Sequence, residues 1–388
     1  MKSCLTAARL FTPTEIIDDP FVLVEDGSIQ SVTSRRSMEV PAGAQHLDFP
    51  DLVIAPGYID IHVHGGAGHD VMQDDPSGRI AFEKAMAKHG VTSYLPTTVT
   101  ASMDRILGAL DRLRNVISAE EAEHAHFGAR PLAIHLEGPF ISAAKCGVHP
   151  IEYLLAPTLQ VFNKLWEASG GTLKIMTIAP ELPGASEVIR EALQSGVYTC
   201  LGHSNATFDE TKKGIAAGAV SATHTFNAMR ALDHREPGIL GAVLSSDRMM
   251  ADMIVDGVHV APAIVKLFLK AKGIDNAILI TDAMSATGMP DGTYQLGPFQ
   301  VEVRGGRCDY QGKLAGSVLT LDRAVRNVVS FAEWTLQESM ILATRNPARM
   351  IRAEKKGVIA AGNDADMILL TADGQVLHTM VGGRMLKE

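Results

Sequence analysis

Two histidines one residue apart, His62 and His64, open a series of imidazole and carboxylate side chains that continues with Glu137, His203, His224, His259 and Asp282. Each follows a short apolar run rich in β-branched residues. Neutral imidazole nitrogen mixed with carboxylate oxygen suits borderline divalent metals, Zn, Fe, Mn or Co, better than Mg or Ca. Side chains alternate along a strand, so His62 and His64 face the same side. A divalent ion held there would activate water and polarise a carbonyl, the chemistry of metal-assisted hydrolysis. H-x-H alone is a weak signal. Followed by Glu, His, His and Asp in that order it is a strong one, although spacing does not choose the metal or decide between one ion and two.

Residues this far apart meet only if their strands deliver them to one place. After residue 50, eight apolar runs alternate with segments of helical periodicity: LVIAPGYIDIHVH, VTSYLPTTV, PLAIHLEG, LKIMTIAPE, VYTCLGHS, AVSATHTFN, MADMIVDGVHV and AILITDAM. Consecutive βα units of this kind predict an α/β fold, a TIM-type (β/α)8 barrel whose active site gathers at the C-terminal ends of the strands. Asp75 before Pro76 predicts a capped helix start and Gly90 its close, while Ile106, Leu107, Leu110, Leu113 and Ile117 repeat at helical spacing. His46, His69, His89, His124, His126, His234 and His378 are read as packed or hydrogen-bonded side chains, and His135 as a residue that orients its neighbours inside the barrel.

Both ends of the chain carry short alternating strands with turn signals at Glu25-Asp26-Gly27, Asp373-Gly374 and Gly382-Gly383. They predict a small β-sandwich built from both termini, a discontinuous domain of residues 1–54 plus 357–388, around a barrel domain of 55–356. Asp291-Gly292, Gly297-Pro298 and Gly305-Gly306 mark a hairpin insertion at about 291–313.

The chain has 388 residues, 46% hydrophobic, with a formal charge of -9. That balance disfavours nucleic acid as a partner, since phosphate backbones are gripped by clustered Lys and Arg. An anionic substrate would need a local basic pocket. The N-terminal MKSCLTAARLFTPTEIIDDP has no continuous apolar stretch and soon turns acidic, and no membrane span is visible, so a soluble cytoplasmic protein is expected. Cys4, Cys146, Cys200 and Cys308 form no C-x-x-C pair and are read as ordinary reduced thiols; Cys146 lies in the loop AAKCGVHP.

Taken together, P-G-Y-I-D-I-H-V-H-G, H-L-E-G-P-F, G-H-S-N-A-T, H-T-F-N-A-M, D-G-V-H and T-D-A-M resemble the N-acetylglucosamine-6-phosphate deacetylases of the amidohydrolase superfamily over nearly the whole chain. The tail N-P-A-R-M-I with G-x-I-A-x-G-x-D-A-D is shared with many relatives, whereas H-L-E-G-P, G-H-S-N-A-T and N-A-M with R-E-P-G are specific to this branch. The resemblance implies hydrolysis of the acetamido group of N-acetyl-D-glucosamine 6-phosphate. It implies a principal metal on Glu137, His203 and His224. A second ion would sit on His62 and His64, with Glu137 bridging and Asp282 nearby. Many superfamily members bridge with a carboxylated lysine at the end of strand four; Lys174 stands at the start of that strand, so Glu137 takes that part.

In the same way, the resemblance makes Asp282 the proton carrier and gives His149 the developing oxyanion. His149 and His259 would reach the substrate, and Asn227 and Ala228 would contact its phosphate. Arg235 would clamp the phosphate across a homodimer interface, and Leu314, Ala315 and Gly316 would line the sugar site. Three alternatives stand beside this reading: N-acetylgalactosamine 6-phosphate as substrate, a cyclic amidase of the dihydroorotase or imidazolonepropionase kind, and a non-catalytic scaffold. The last should show gaps among the metal-ligand positions, and none is present.

Overall fold

The run 52–64, which reads as one strand in the sequence, is divided at Gly57. Gln45–Pro56 belongs to a sheet made by the chain ends, and Tyr58–Val63 (β1) is the first strand of the barrel. A side chain at Gly57 would meet Thr92 Cγ2 at 2.2 Å, so glycine is what lets the chain cross from one body to the other against the next barrel strand. The structure, a computed structural model, describes residues 2–37, 40–123 and 128–386; His124 and His126 lie outside the described residues.

Seven further parallel strands follow: Val91–Thr98 (β2), Ile134–Glu137 (β3), Leu173–Ile178 (β4), Tyr198–Leu201 (β5), Ser221–Ala222 (β6), Ala251–Ile254 (β7) and Ala277–Ile280 (β8). β1 through β6 pair in sequence order. Thr225 N donates to Asp252 O at 2.9 Å and Met250 N to Val220 O at 3.0 Å, which links β6 to β7. β7 pairs with β8. Asp282 N then donates to His62 O at 2.9 Å and His64 N to Ala283 O at 2.8 Å, which returns the ring to β1. Helices intervene between successive strands. Pro76–Lys88 begins with the expected cap, Asp75 accepting from Gly78 N, and Met103–Glu123 buries Ile106, Leu110, Leu113 and Ile117.

Strands from both chain ends share one eight-stranded sheet, in which Lys2–Phe11 pairs in parallel with Gln45–Pro56 and the latter pairs antiparallel with Met367–Leu370. Alternate residues of these strands, Leu5, Val22, Ile54, Met367, Leu369 and Met380 among them, meet in a hydrophobic cluster separate from the barrel core. The insertion after β8 holds more than the expected hairpin: Gly292–Leu296, Phe299–Arg304, Arg307–Tyr310 and Lys313–Leu314 form a four-stranded antiparallel sheet.

A largely buried cation fixes the return into the terminal sheet. Lys356 Nζ lies 2.5 Å from Asp366 Oδ2 and 2.9 Å from Asp364 Oδ2, and Asp366 Oδ1 accepts Gly382 N at 2.7 Å. Burial opposes the charge on Lys356, but the two carboxylates hold its pKa above the usual lysine value. Lys356→Met would strand Asp366, 7% exposed, without its counter-charge. The expected loss is about 3 kcal/mol, the scale for one half of a buried ion pair. An unchanged urea midpoint would show that the pair carries no such weight.

Candidate metal centre

The ring of strands brings the expected side chains to one end. His62 stands on β1 and Glu137 closes β3, while His64, His203, His224 and Asp282 each lie just beyond the last residue of β1, β5, β6 and β8. These last three adopt left-handed backbone angles, φ 46° at His203, 31° at His224 and 51° at Asp282. Non-glycine residues visit that region only at a cost, on the order of 1–3 kcal/mol each, when the surroundings hold them there. Turning the backbone at these positions aims the side chains back across the barrel mouth.

Glu137 occupies the centre of the group. Its Oε1 is 2.9 Å from His224 Nε2 and 3.1 Å from His203 Nε2, and its Oε2 is 3.3 Å from His64 Nε2 and 3.5 Å from His149 Nε2. His64 Nε2 is also 3.0 Å from Asp282 Oδ1 and 3.2 Å from His62 Nε2. Within 4.8 Å of one another lie single ligand atoms of His62, His64 and Asp282, and likewise of Glu137, His149 and His203. All of these residues are buried.

The donor set fits a cation. His64 Nδ1 is 2.9 Å from Thr97 O and His203 Nδ1 is 2.9 Å from Lys145 O, so in each ring the proton sits on Nδ1 and the Nε2 lone pair faces inward. Nε2 of His203 and His224 approach to 3.0 Å. Both nitrogens also lie close to Glu137 Oε1, a convergence of three donor atoms that suits a shared cation. Burial opposes protonation of these rings, yet Asp282 and Glu137 raise His64 well above the usual histidine value, and hydrogen bonding to Glu137 brings His224 up to about 9. The Glu137 carboxyl, against the push of burial, is held well below the usual range by His62, His149, His203 and His224. His135 lies beneath, its Nδ1 3.0 Å from Ile61 O and its ring 4.6 Å from that of His62.

A cavity of about 210 Å³ opens over the cluster. Asn227, Ala228, Leu314 and Gly316 line it together with the metal-ligand candidates, while Ala315 is buried beside them and His62 lies behind His64. His259 also reaches the cavity, but from a loop: β7 ends at Ile254, and Asp256 Oδ2 holds His259 Nδ1 at 2.7 Å. Arg235 stands on an exposed loop outside the cavity of its own chain.

Several contributors escape the sequence reading. Val99, Val148 and Leu296 are cavity-lining apolar residues. Two buried aspartates support the ligands from below: Asp60 accepts Thr281 Oγ1 at 2.6 Å and His62 N at 3.3 Å, and Asp252 accepts His224 N. An acidic residue within an otherwise apolar strand would have revealed both.

Chelator-treated protein is expected to take up Co2+ with a visible absorption band of low-symmetry coordination. Glu137→Gln should weaken that uptake by at least about 100-fold, since the carboxylate central to the cluster is lost. Equal Co2+ affinity in the variant would remove Glu137 from the centre.

Comparison with known proteins agrees with this architecture. Residues 53–386 match the amidohydrolase family. An N-acetylglucosamine-6-phosphate deacetylase of Lysinibacillus sphaericus is 36% identical over 94% of this chain and 92% of its own length. An N-acetylgalactosamine-6-phosphate deacetylase of Escherichia coli O157:H7 is 37% identical over 99% of each chain. The structure of an N-acetyl-D-glucosamine-6-phosphate deacetylase variant from Mycobacterium smegmatis, in complex with N-acetyl-D-glucosamine-6-phosphate, superposes with a TM-score of 0.92 at 32% identity over 100% of both chains. The chain therefore belongs to the amidohydrolase family, in the branch that contains the N-acetylglucosamine-6-phosphate deacetylases.

Proposed function

We propose that the protein hydrolyses the acetamido group of N-acetyl-D-glucosamine 6-phosphate, giving D-glucosamine 6-phosphate and acetate. The observation that carries this reading is a single cavity with a buried imidazole–carboxylate cluster at one end and Asn227, Ala228 and His259 in its wall. N-acetylgalactosamine 6-phosphate is the second substrate to test, because a relative of almost equal similarity bears that name. Residues 1–54 plus 357–388 are read as one domain, a sheet curled into a small β-sandwich over the cluster that includes Leu5 and Met380, and 55–356 as the catalytic barrel. A cytoplasmic location suits a phosphorylated sugar, which does not cross membranes unaided. No helix among the described residues is long and apolar enough to cross a membrane.

Glu137, His203 and His224 would hold the principal metal, with His62, His64 and Asp282 available to a second, and Zn, Fe, Mn and Co all suit these donors. A divalent ion there supplies Lewis acidity toward the amide carbonyl and makes water acidic enough to attack near neutral pH. Asp282 accepts the proton of the attacking water and returns it to the leaving amine nitrogen. Although burial raises its carboxyl, hydrogen bonding from His64 brings it to about 2, so it begins as the base. His149 Nδ1 accepts the amide of Thr100 at 3.2 Å, which leaves the ring proton on Nε2, and burial lowers this ring to about 4 and keeps it neutral. A neutral Nε2–H facing the cavity is the donor a developing oxyanion requires. Asn227, Ala228 and His259 bind the phosphate end, converting remote binding energy into orientation of the amide.

Arg235 completes the phosphate site from a second copy of the chain. Its loop is exposed, with Leu232 beside it 50% exposed, and Arg235 does not line the site cavity of its own chain. A twofold dimer would place each Arg235 against the partner's cavity.

Two measurements test this reading. Asp282→Asn should lower acetate release by at least about 100-fold with metal still bound, the usual scale for an acid–base group, and the unphosphorylated sugar should be a far poorer substrate for the wild type. Equal rates on both sugars would refute the phosphate site. For the dimer, Asp282→Asn and Arg235→Ala protein mixed by reversible dissociation should regain activity that neither shows alone, because mixed dimers reassemble one intact site. Absence of any recovery would place Arg235 elsewhere.

A further inference from the structure

One wall of the cavity has no part in the mechanism above. Val99 lies between Thr97, whose carbonyl is 2.9 Å from His64 Nδ1, and Thr100, whose amide donates to His149 Nδ1 at 3.2 Å. Its backbone neighbours thus tie it to two imidazoles of the cluster, and its side chain lines the cavity beside them. The turn Leu296–Gly297 of the inserted sheet rests on it. A side chain at Gly297 would meet Val99 Cγ2 at 2.0 Å, while Leu296, 2% exposed, turns into the same cavity.

A short circuit of hydrogen bonds holds this turn down. Gly297 N donates to Asp70 Oδ2 at 2.6 Å, Met72 N donates to Asp70 Oδ1 at 2.8 Å, and Val99 N donates to Met72 Sδ at 3.4 Å. Asp70 is buried and far from the insertion in sequence, so one carboxylate pins a distant sheet over the metal centre.

We infer that Val99 and Leu296 form the wall that measures the acyl group of the substrate, and that Asp70 is the positioning residue that keeps the wall in place. The inference rests on the deacetylase reading. An amide carbonyl brought to the cluster points its nitrogen and sugar one way and its acyl carbon the other. Asn227, Ala228 and His259 take the sugar phosphate, which leaves the apolar side for the acyl methyl. A methyl group fits against Val99 and Leu296; a longer chain would have to displace them against the Asp70 latch.

Release of carboxylic acid from N-formyl-, N-acetyl- and N-butanoylglucosamine 6-phosphate measures this directly. The wild type should prefer acetyl over butanoyl. Val99→Ala and Leu296→Ala should raise the butanoyl-to-acetyl ratio of kcat/KM by about tenfold or more, since one methylene in an apolar pocket is worth about that much. Val99→Ile should shift the acetyl-to-formyl ratio downward. Asp70→Ala should broaden acyl choice like the opened wall, and Asp70→Asn, which keeps one acceptor oxygen, should do so less. Each ratio is taken within one preparation, so a partly folded variant does not distort it. Wild-type indifference to acyl length, or ratios unmoved in the opened variants, would overturn the wall assignment. No acid from any of the three substrates with metal-loaded wild type would instead defeat the deacetylase reading, and the wall would fall with it.

Discussion

Convergence of imidazole nitrogens and carboxylate oxygens on one point is the constraint on which the structure turns. Donor atoms gathered around Glu137 in a water-poor barrel mouth keep a spacing fit for a cation only if their supports are stiff. Their supports are backbone. Thr97 and Lys145 carbonyls fix the rings of His64 and His203, and the hydrogen bonds between β8 and β1 fix the spacing of Asp282 from His62. The barrel's closure is thus an electrostatic device as much as a packing solution.

Strain follows from the same geometry. His203, His224 and Asp282 all leave their strands through left-handed backbone, and Asp252 and Asp60 grip the turns at two of these three places by accepting the amide of His224 and the hydroxyl of Thr281. Burial raises Asp60 and Asp252 to about 7. The supporting layer is therefore made of acidic groups that are themselves costly to bury, and it is rigid because so many of their oxygens are engaged.

Much of this was legible in the chain. Ionisable residues ending apolar runs are conspicuous because a barrel strand otherwise has no use for them, so Glu137, His203, His224 and the H-x-H pair announced their meeting place. What escaped was whatever depends on where a loop goes. His259 reads as a strand end but is carried beyond β7 and pinned by Asp256. The run 52–64 reads as one strand because nothing in its apolar pattern changes at Gly57; the change is in the neighbour, Thr92. Val99 and Leu296 are invisible for a different reason: an apolar residue facing a cavity has the same signature as one facing the core. Arg235 was singled out by resemblance alone, since exposed arginines in loops are common.

The passage through Gly57 has a mechanical meaning. Most two-part proteins join their parts by a slack tether that lets one swing against the other. Here a single residue separates a strand of the terminal sheet from the first stave of the barrel, and that stave bears His62 and leads directly into His64. The terminal sheet is consequently a splint: whatever loosens it pulls directly on the ligands, and the reactive end of the molecule inherits its stiffness from the opposite side of the fold.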